Sequence, residues 1–166
     1  MYEDIFNETN MLELQNLLTK RKETITTAES CTGGLIASMI TEISGSSNIF
    51  RGSVVTYCNE IKEQELNVKK ETMIQNGVVS LEVVKEMLLG VIRKFDANYA
   101  IAVSGVAGPN GGTIAKPVGT VVIGVMSCDG REHIAIYNFK GNRKEIQLQS
   151  AKTGLKEILK FICKNP

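Results

Sequence analysis

Three groups in this chain could carry out acyl-transfer chemistry, and each sits in a recognisable local context. Thr26 to Leu35 reads TTAESCTGGL and contains a hydroxyl at Ser30, a thiol at Cys31, a second hydroxyl at Thr32 and two glycines. A β-branched run precedes it and an apolar run follows, so the pattern is strand, tight turn, helix. A hydroxyl at such a helix start lies beside unpaired N–H groups that suit an anion or an oxyanion. The plain alternative is that Ser30 or Thr32 only caps the helix. A hydroxyl nucleophile needs a base. His133 is the only histidine and lies in a predicted strand, whereas Lys62 falls in the first turn of a predicted short helix. The helix dipole disfavours a cation there, and burial would push a lysine's pKa down. Serine with a neutral lysine is a known variant of triad logic. Tyr57 can relay or donate a proton at the same edge. Cys31 is a rival nucleophile, but Ser30 is favoured because no histidine is at hand to activate a thiol.

The elements that must position these groups follow from patterning. Asn10 and Glu13 have capping-box spacing, and a leucine stripe runs on to about Lys22. A second helix is expected over about 33–43, ended by the Ser44–Asn48 breaker. Ile49–Tyr57 reads as a strand, and Asn59 as the cap of a helix from about Glu60 to Leu66. Ser80 caps a helix over Leu81–Lys94. Asn98–Val103 is an apolar run fit for a strand buried on both faces. It empties into a loop with glycines at 105, 108, 111 and 112, where backbone can approach a ligand. Thr120–Cys128 and Arg131–Phe139 are strands joined by Asp129-Gly130, a strong hairpin signal, which makes the sheet mixed. Asn142 and Glu145 open a last helix with the stripe Leu148, Ala151, Leu155, Ile158, Leu159 and Ile162. Arg143 at that helix start calls for a nearby anion. Alternating strands and helices predict an α/β/α sandwich whose ligand lies beyond the strands' carboxyl ends.

Composition removes several classes. The 166 residues suit one domain, and the net charge of +1 makes no case for nucleic acid or a membrane surface. Aromatic content is only 5%, which offers no base-stacking platform. No stretch would span a bilayer, and the acidic N-terminus is unlike a signal peptide, so the expected compartment is the cytoplasm. Four scattered cysteines are weak evidence for disulfides, and no spacing suits zinc. Neither the dinucleotide G-x-G-x-x-G nor the P-loop pattern occurs. Symmetric assembly into a homo-oligomer is the default expectation.

Four ordered segments carry a family resemblance. They are Ala28–Gly34, Val54–Lys62, Ser104–Pro109, and Gly112-Thr113 continuing through Lys116–Thr120. Together they resemble the CinA C-terminal domain family, which includes nicotinamide mononucleotide (NMN) amidohydrolases, over about Glu13 to Ile162. The resemblance implies a three-layer α/β/α sandwich with a mixed sheet, forming one domain over 1–166. It implies hydrolysis of the carboxamide of NMN to nicotinate mononucleotide and ammonia, with no metal or other cofactor. Ser30 would be the nucleophile, with Tyr57 and Lys62 handling protons. Backbone N–H groups near Cys31, Thr32 and Gly33 would hold the oxyanion. Glu29, Asn59, Ser104, Gly105, Ala107, Gly108, Gly112 and Thr113 would surround the nucleotide, and Arg143 would take the phosphate. Ser53 and Asn142 depart from the family's usual glycine and aspartate. Many members carry this domain behind a molybdopterin-binding-like domain, and this chain looks like the stand-alone form. Two other activities fit the same resemblance. One is a catalytically inactive nucleotide-binding member linked to competence or DNA damage, and the other is a serine amidase for another small amide.

Overall fold

The computed structural model describes residues 1–165; Pro166, the last residue of the expected domain, lies outside them. Five strands form one sheet in the order β2-β1-β3-β4-β5. They are β1 (Ile25–Glu29), β2 (Phe50–Val55), β3 (Tyr99–Gly105), β4 (Thr120–Ser127) and β5 (Glu132–Asn138). β1 runs parallel to β2 and β3, and β4 is antiparallel to both β3 and β5. The sheet is therefore mixed, with the Asp129-Gly130 hairpin where the sequence places it.

The described residues form six α-helices, packed on the sheet or on one another: α1 (Glu8–Arg21), α2 (Leu35–Thr41), α3 (Asn59–Leu66), α4 (Lys70–Asn76), α5 (Leu81–Phe95) and α6 (Arg143–Lys164). Strand alternation sorts the core into two layers. Ile25, Ile101, Val103, Ile123 and Val125 pack with Leu14 and Leu18 of α1, Ile36 and Ile40 of α2, and Leu155 and Ile158 of α6. Ala28, Ala100, Ala102 and Val122 face the other way, against Val84, Met87, Leu88 and Val91 of α5. Small residues on that face let α5 come close. A Cβ on Gly124 would lie 2.8 Å from Leu88 Cδ1 and from Val84 Cγ1. The result is an α/β/α sandwich.

Several boundaries differ from expectation for local reasons. The capping box of α1 is Asn7 with Asn10, one turn before the expected Asn10 and Glu13, because Asn10 serves as the reciprocal partner. α2 starts at Leu35, since Gly33 and Gly34 both take positive φ and continue the turn. Cys58, not Asn59, holds the cap position of α3. Tyr57 falls just beyond β2. Leu148 is only half-buried, and Ile146 takes its place in the core. α4 has no counterpart in the sequence reading. Its start is fixed from a distance, where the Glu86 carboxylate of α5 accepts from Lys69 N–H at 2.8 Å and Thr72 Oγ1 at 2.7 Å.

A close helix approach places Lys62. α3 lies on α5 where Gly90 leaves no side chain, and a Cβ there would sit 2.1 Å from the Leu66 carbonyl oxygen. Gly90→Ala must push α3 outward. We expect it to lower the free energy of unfolding by about 1–3 kcal/mol, the usual range for overpacking, as a shift of the urea midpoint at unchanged m-value.

Candidate active site

The carboxyl ends of β1, β2 and β3 point the same way, and the chain leaves each through a turn rich in small or polar residues. β1 leads to Ser30, β2 to Tyr57 and α3, and β3 to the glycine loop. These turns line one cleft of about 310 Å³, within the usual size range of small-ligand sites. Ser30, Tyr57, Asn59 and Lys62 are on its wall with Cys31. The loop after β3 supplies Ser104, Gly105, Ala107 and Gly108, and α6 supplies Arg143. Among the described residues, no aspartate or glutamate lines it.

Lys62 is 1% exposed, and its Nζ lies 3.1 Å from Ser30 Oγ, within hydrogen-bond reach. The same nitrogen donates to the Thr56 carbonyl at 2.8 Å. No carboxylate among the described residues comes within 4.0 Å of it. Burial without an anionic partner pushes the Lys62 pKa down from the ordinary lysine value. Ser30 is 8% exposed, and its N–H donates to the Val103 carbonyl at 3.1 Å, which pins the turn to β3.

The turn itself is tight. Gly33 N–H donates to the Ser30 carbonyl at 3.0 Å, and Leu35 N–H to the Thr32 carbonyl at 3.1 Å. The Gly33 amide is thus committed within the turn and cannot serve the expected oxyanion role. The Cys31 and Thr32 amides have no acceptor in another residue among those described. Gln147 of α6 donates from Nε2 to the Cys31 carbonyl at 2.9 Å and braces the turn from outside. The Cys31 thiol is buried, and burial pushes its pKa up to about 12. It remains protonated at neutral pH.

Not every sequence-assigned residue faces the cleft. Glu29 is fully buried and does not line the wall, and its oxygens accept from Thr32 and from α2. The Thr32 hydroxyl is spent on that carboxylate. Gly112 and Thr113 lie beyond the wall. There, Thr113 N–H donates to the Lys116 carbonyl at 2.9 Å, and its Oγ1 accepts from Lys116 N–H at 3.0 Å, shaping the loop. Tyr57 is on the rim at 59% exposure, and its hydroxyl accepts from Arg143 Nη2 at 2.6 Å, not from Lys62. Arg143 Nη1 donates to the Gly108 carbonyl at 2.6 Å. Arg143 therefore bridges two walls and has no carboxylate partner within 4.0 Å among the described residues. Val78, Val79 and Gln147 were not expected at the site, whereas Asn110 lies on the wall within the loop expected to surround the ligand. The valines follow α4, whose position depends on Glu86, and Gln147 reaches the turn across 116 residues of chain. The described residues bring no three or more His, Cys, Asp or Glu side chains together as a metal site, and no helix among them is long and apolar enough to cross a membrane.

Fold and site together define an α/β/α protein with a serine–lysine pair in a cleft at the carboxyl edge of its parallel strands. A model of the CinA C-terminal domain matches residues 7–162. The chain belongs to the CinA C-terminal domain family. It is 48% identical over 141 residues to the nicotinamide-nucleotide amidohydrolase PncC of Enterobacter agglomerans, covering 85% of this chain and 86% of that protein. It is 49% identical over 150 residues to a CinA-like protein of Endomicrobium trichonymphae, covering 90% of this chain. The chain spans only 35% of that relative, and 38% of a putative competence-damage inducible protein of Halothermothrix orenii. Among solved structures, the competence/damage inducible protein CihA of Agrobacterium tumefaciens superposes with a TM-score of 0.91 at 36% identity, covering 93% of this chain and 94% of that one.

Two outcomes test the electrostatics. Iodoacetamide at pH 8 should alkylate the exposed Cys58, Cys128 and Cys163 and leave Cys31 unlabelled, as read by peptide mass spectrometry. A lysine whose folded pKa is lowered makes the unfolded state the better proton binder, so its contribution to stability rises with pH from that lowered value up to the ordinary one. Lys62→Met removes this dependence. Urea denaturation should show the variant more favoured relative to the parent at pH 6 than at pH 9.

Proposed function

We propose that this chain hydrolyses the carboxamide of NMN, releasing ammonia and nicotinate mononucleotide. The observation that carries the reading is the buried Lys62 amine 3.1 Å from Ser30 Oγ with no carboxylate to keep it charged. A neutral amine in that place is a base within reach of the proton it must take. The likeness to PncC of Enterobacter agglomerans, at 86% coverage of that protein, supplies the substrate.

In the first step Ser30 Oγ bonds to the amide carbon as its proton passes to Lys62 Nζ. The negative charge moves to the carbonyl oxygen, which the free Cys31 and Thr32 amides can receive. The C–N bond then breaks, and the nitrogen leaves as ammonia with the proton returned from Lys62. Water attacks the acyl-serine and gives a proton to Lys62, which passes it back to Ser30 as the acid departs. Arg143 receives the phosphate. Its guanidinium is always charged and presents paired donors, and the cleft offers no competing carboxylate. Tyr57, bonded to Arg143, acts in this scheme by holding that guanidinium over the cleft.

An ammonia-release assay with NMN tests this directly. Ser30→Ala should lose about a thousandfold or more in kcat, and retention of activity would refute the reading. kcat/KM should climb with pH along a limb set by deprotonation of Lys62, positioned below the ordinary lysine range. Arg143→Ala should raise KM for NMN by about tenfold or more, and hardly alter turnover of the phosphate-free nucleoside.

A further inference from the structure

We infer that Glu29 is a positioning residue that holds the Ser30–Gly34 turn in its reactive form without touching substrate. The inference rests on the serine-nucleophile reading above and extends it by one residue. Glu29 closes β1 and is fully buried. No cation among the described residues lies within 4.0 Å of its carboxylate. An anion buried without a cation needs hydrogen-bond donors on both oxygens. Glu29 has three within 3.0 Å. Oε1 accepts from Thr32 Oγ1 at 2.7 Å and from Ile36 N–H at 2.9 Å. Oε2 accepts from Ala37 N–H at 3.0 Å, and Thr27 Oγ1, which also contacts Ser53 Oγ, lies 3.4 Å from it.

Two of those donors are amides of the first turn of α2, which has no partner of its own for them. Its cap residue is Gly34, in a left-handed conformation and with no side chain to offer. Glu29 therefore caps α2 from the strand that precedes the turn. Thr32 ties the middle of the turn to the same carboxylate, and the Glu29 carbonyl accepts from Thr56 N–H at 2.8 Å, beside the carbonyl that holds Lys62. One residue thus fixes both ends of the nucleophile's turn and the strand end that carries the base. With α2 satisfied by Glu29 and Gly33 by Ser30, the Cys31 and Thr32 amides have no acceptor in another described residue, and in this reading they serve the developing oxyanion. Contact with α2's N-terminus also offsets the carboxylate's charge, which would otherwise oppose that oxyanion.

Glu29→Gln tests this. The variant keeps the shape, but its NH2 must face an N–H of Ile36 or Ala37. Two readouts separate the inference from the substrate assignment. The first is the rate at which a small uncharged fluorophosphonate labels Ser30, followed by intact mass; this reports the serine, its base and its oxyanion donors, but not nucleotide binding. The second is steady-state ammonia release from NMN. We expect labelling and kcat both to fall about tenfold or more, with KM within about threefold of the parent and the Lys62 limb of the pH profile unmoved. Thr32→Val, which deletes one donor to the carboxylate, should shift both in the same direction by less. It carries the test if Glu29→Gln does not fold. Unchanged labelling in the folded variants, or a raised KM with labelling intact, would overturn the inference. A parent protein that labels at Ser30 but leaves NMN untouched would overturn the substrate alone, with the labelling comparison still deciding the role of Glu29.

Discussion

A lysine side chain without a carboxylate, almost wholly removed from water, is the constraint around which the site is built. Burying an ammonium ion is expensive, and that cost lowers the pKa of the amine and favours its neutral form. Two contacts make the neutral form comfortable. The Thr56 carbonyl takes one N–H, and Ser30 Oγ lies opposite at hydrogen-bond distance. The burial is itself a packing result. α3 is pressed onto α5 at Gly90, and Leu66 on α3 joins the core formed by α5 and the sheet. Residues distant from any substrate therefore set the basicity of the amine.

The serine is held by a different kind of interaction. Only Cys31 of its turn joins the hydrophobic core, so hydrogen bonds fix the rest of it. They come from three directions: β3 through Val103, α6 through Gln147, and the buried carboxylate of Glu29. A turn of this kind depends on its hydrogen-bond anchors, because Cys31 alone packs it against the core. The thiol beside the serine is kept protonated by the same burial that favours the neutral form of the lysine. Desolvation disfavours the charged form of each group, so it favours the neutral amine and suppresses the thiolate.

Much of this was legible in the chain because it is local. The Asp129-Gly130 hairpin, the Asn142 and Glu145 capping box, and the buried strand through Ile101 all follow from short-range chemistry, and the structure has each in place. The proximity of Ser30 and Lys62 was legible for a topological reason. Both lie just after parallel strands that pair side by side, β1 with β2, so their turns share an edge. What sequence could not give are contacts set by tertiary packing. α4 needs Glu86, contributed by α5. Gln147 looks like an ordinary polar residue on a helix until α6 is laid across the Ser30 turn. Glu29, next to the nucleophile, suggested substrate, yet its position at the buried end of a five-residue strand sends the side chain toward α2 instead.

The proposed reaction uses the two basic side chains of the cleft for opposite purposes, and the difference lies in the side chains. Lysine can lose its proton when desolvated; arginine cannot. Lys62 is in the interior, where desolvation favours the neutral amine that the proposed reaction needs as its base. Arg143 is at the rim, exposed and braced by Tyr57 and the Gly108 carbonyl, where a permanent charge can meet a phosphate. Exchanging the two residue types would leave a buried charge beside the serine and a flexible point charge at the mouth. The lack of any acidic side chain on the wall serves both groups at once. A carboxylate near Lys62 would keep it protonated, and one near Arg143 would occupy the fork that an anionic substrate needs.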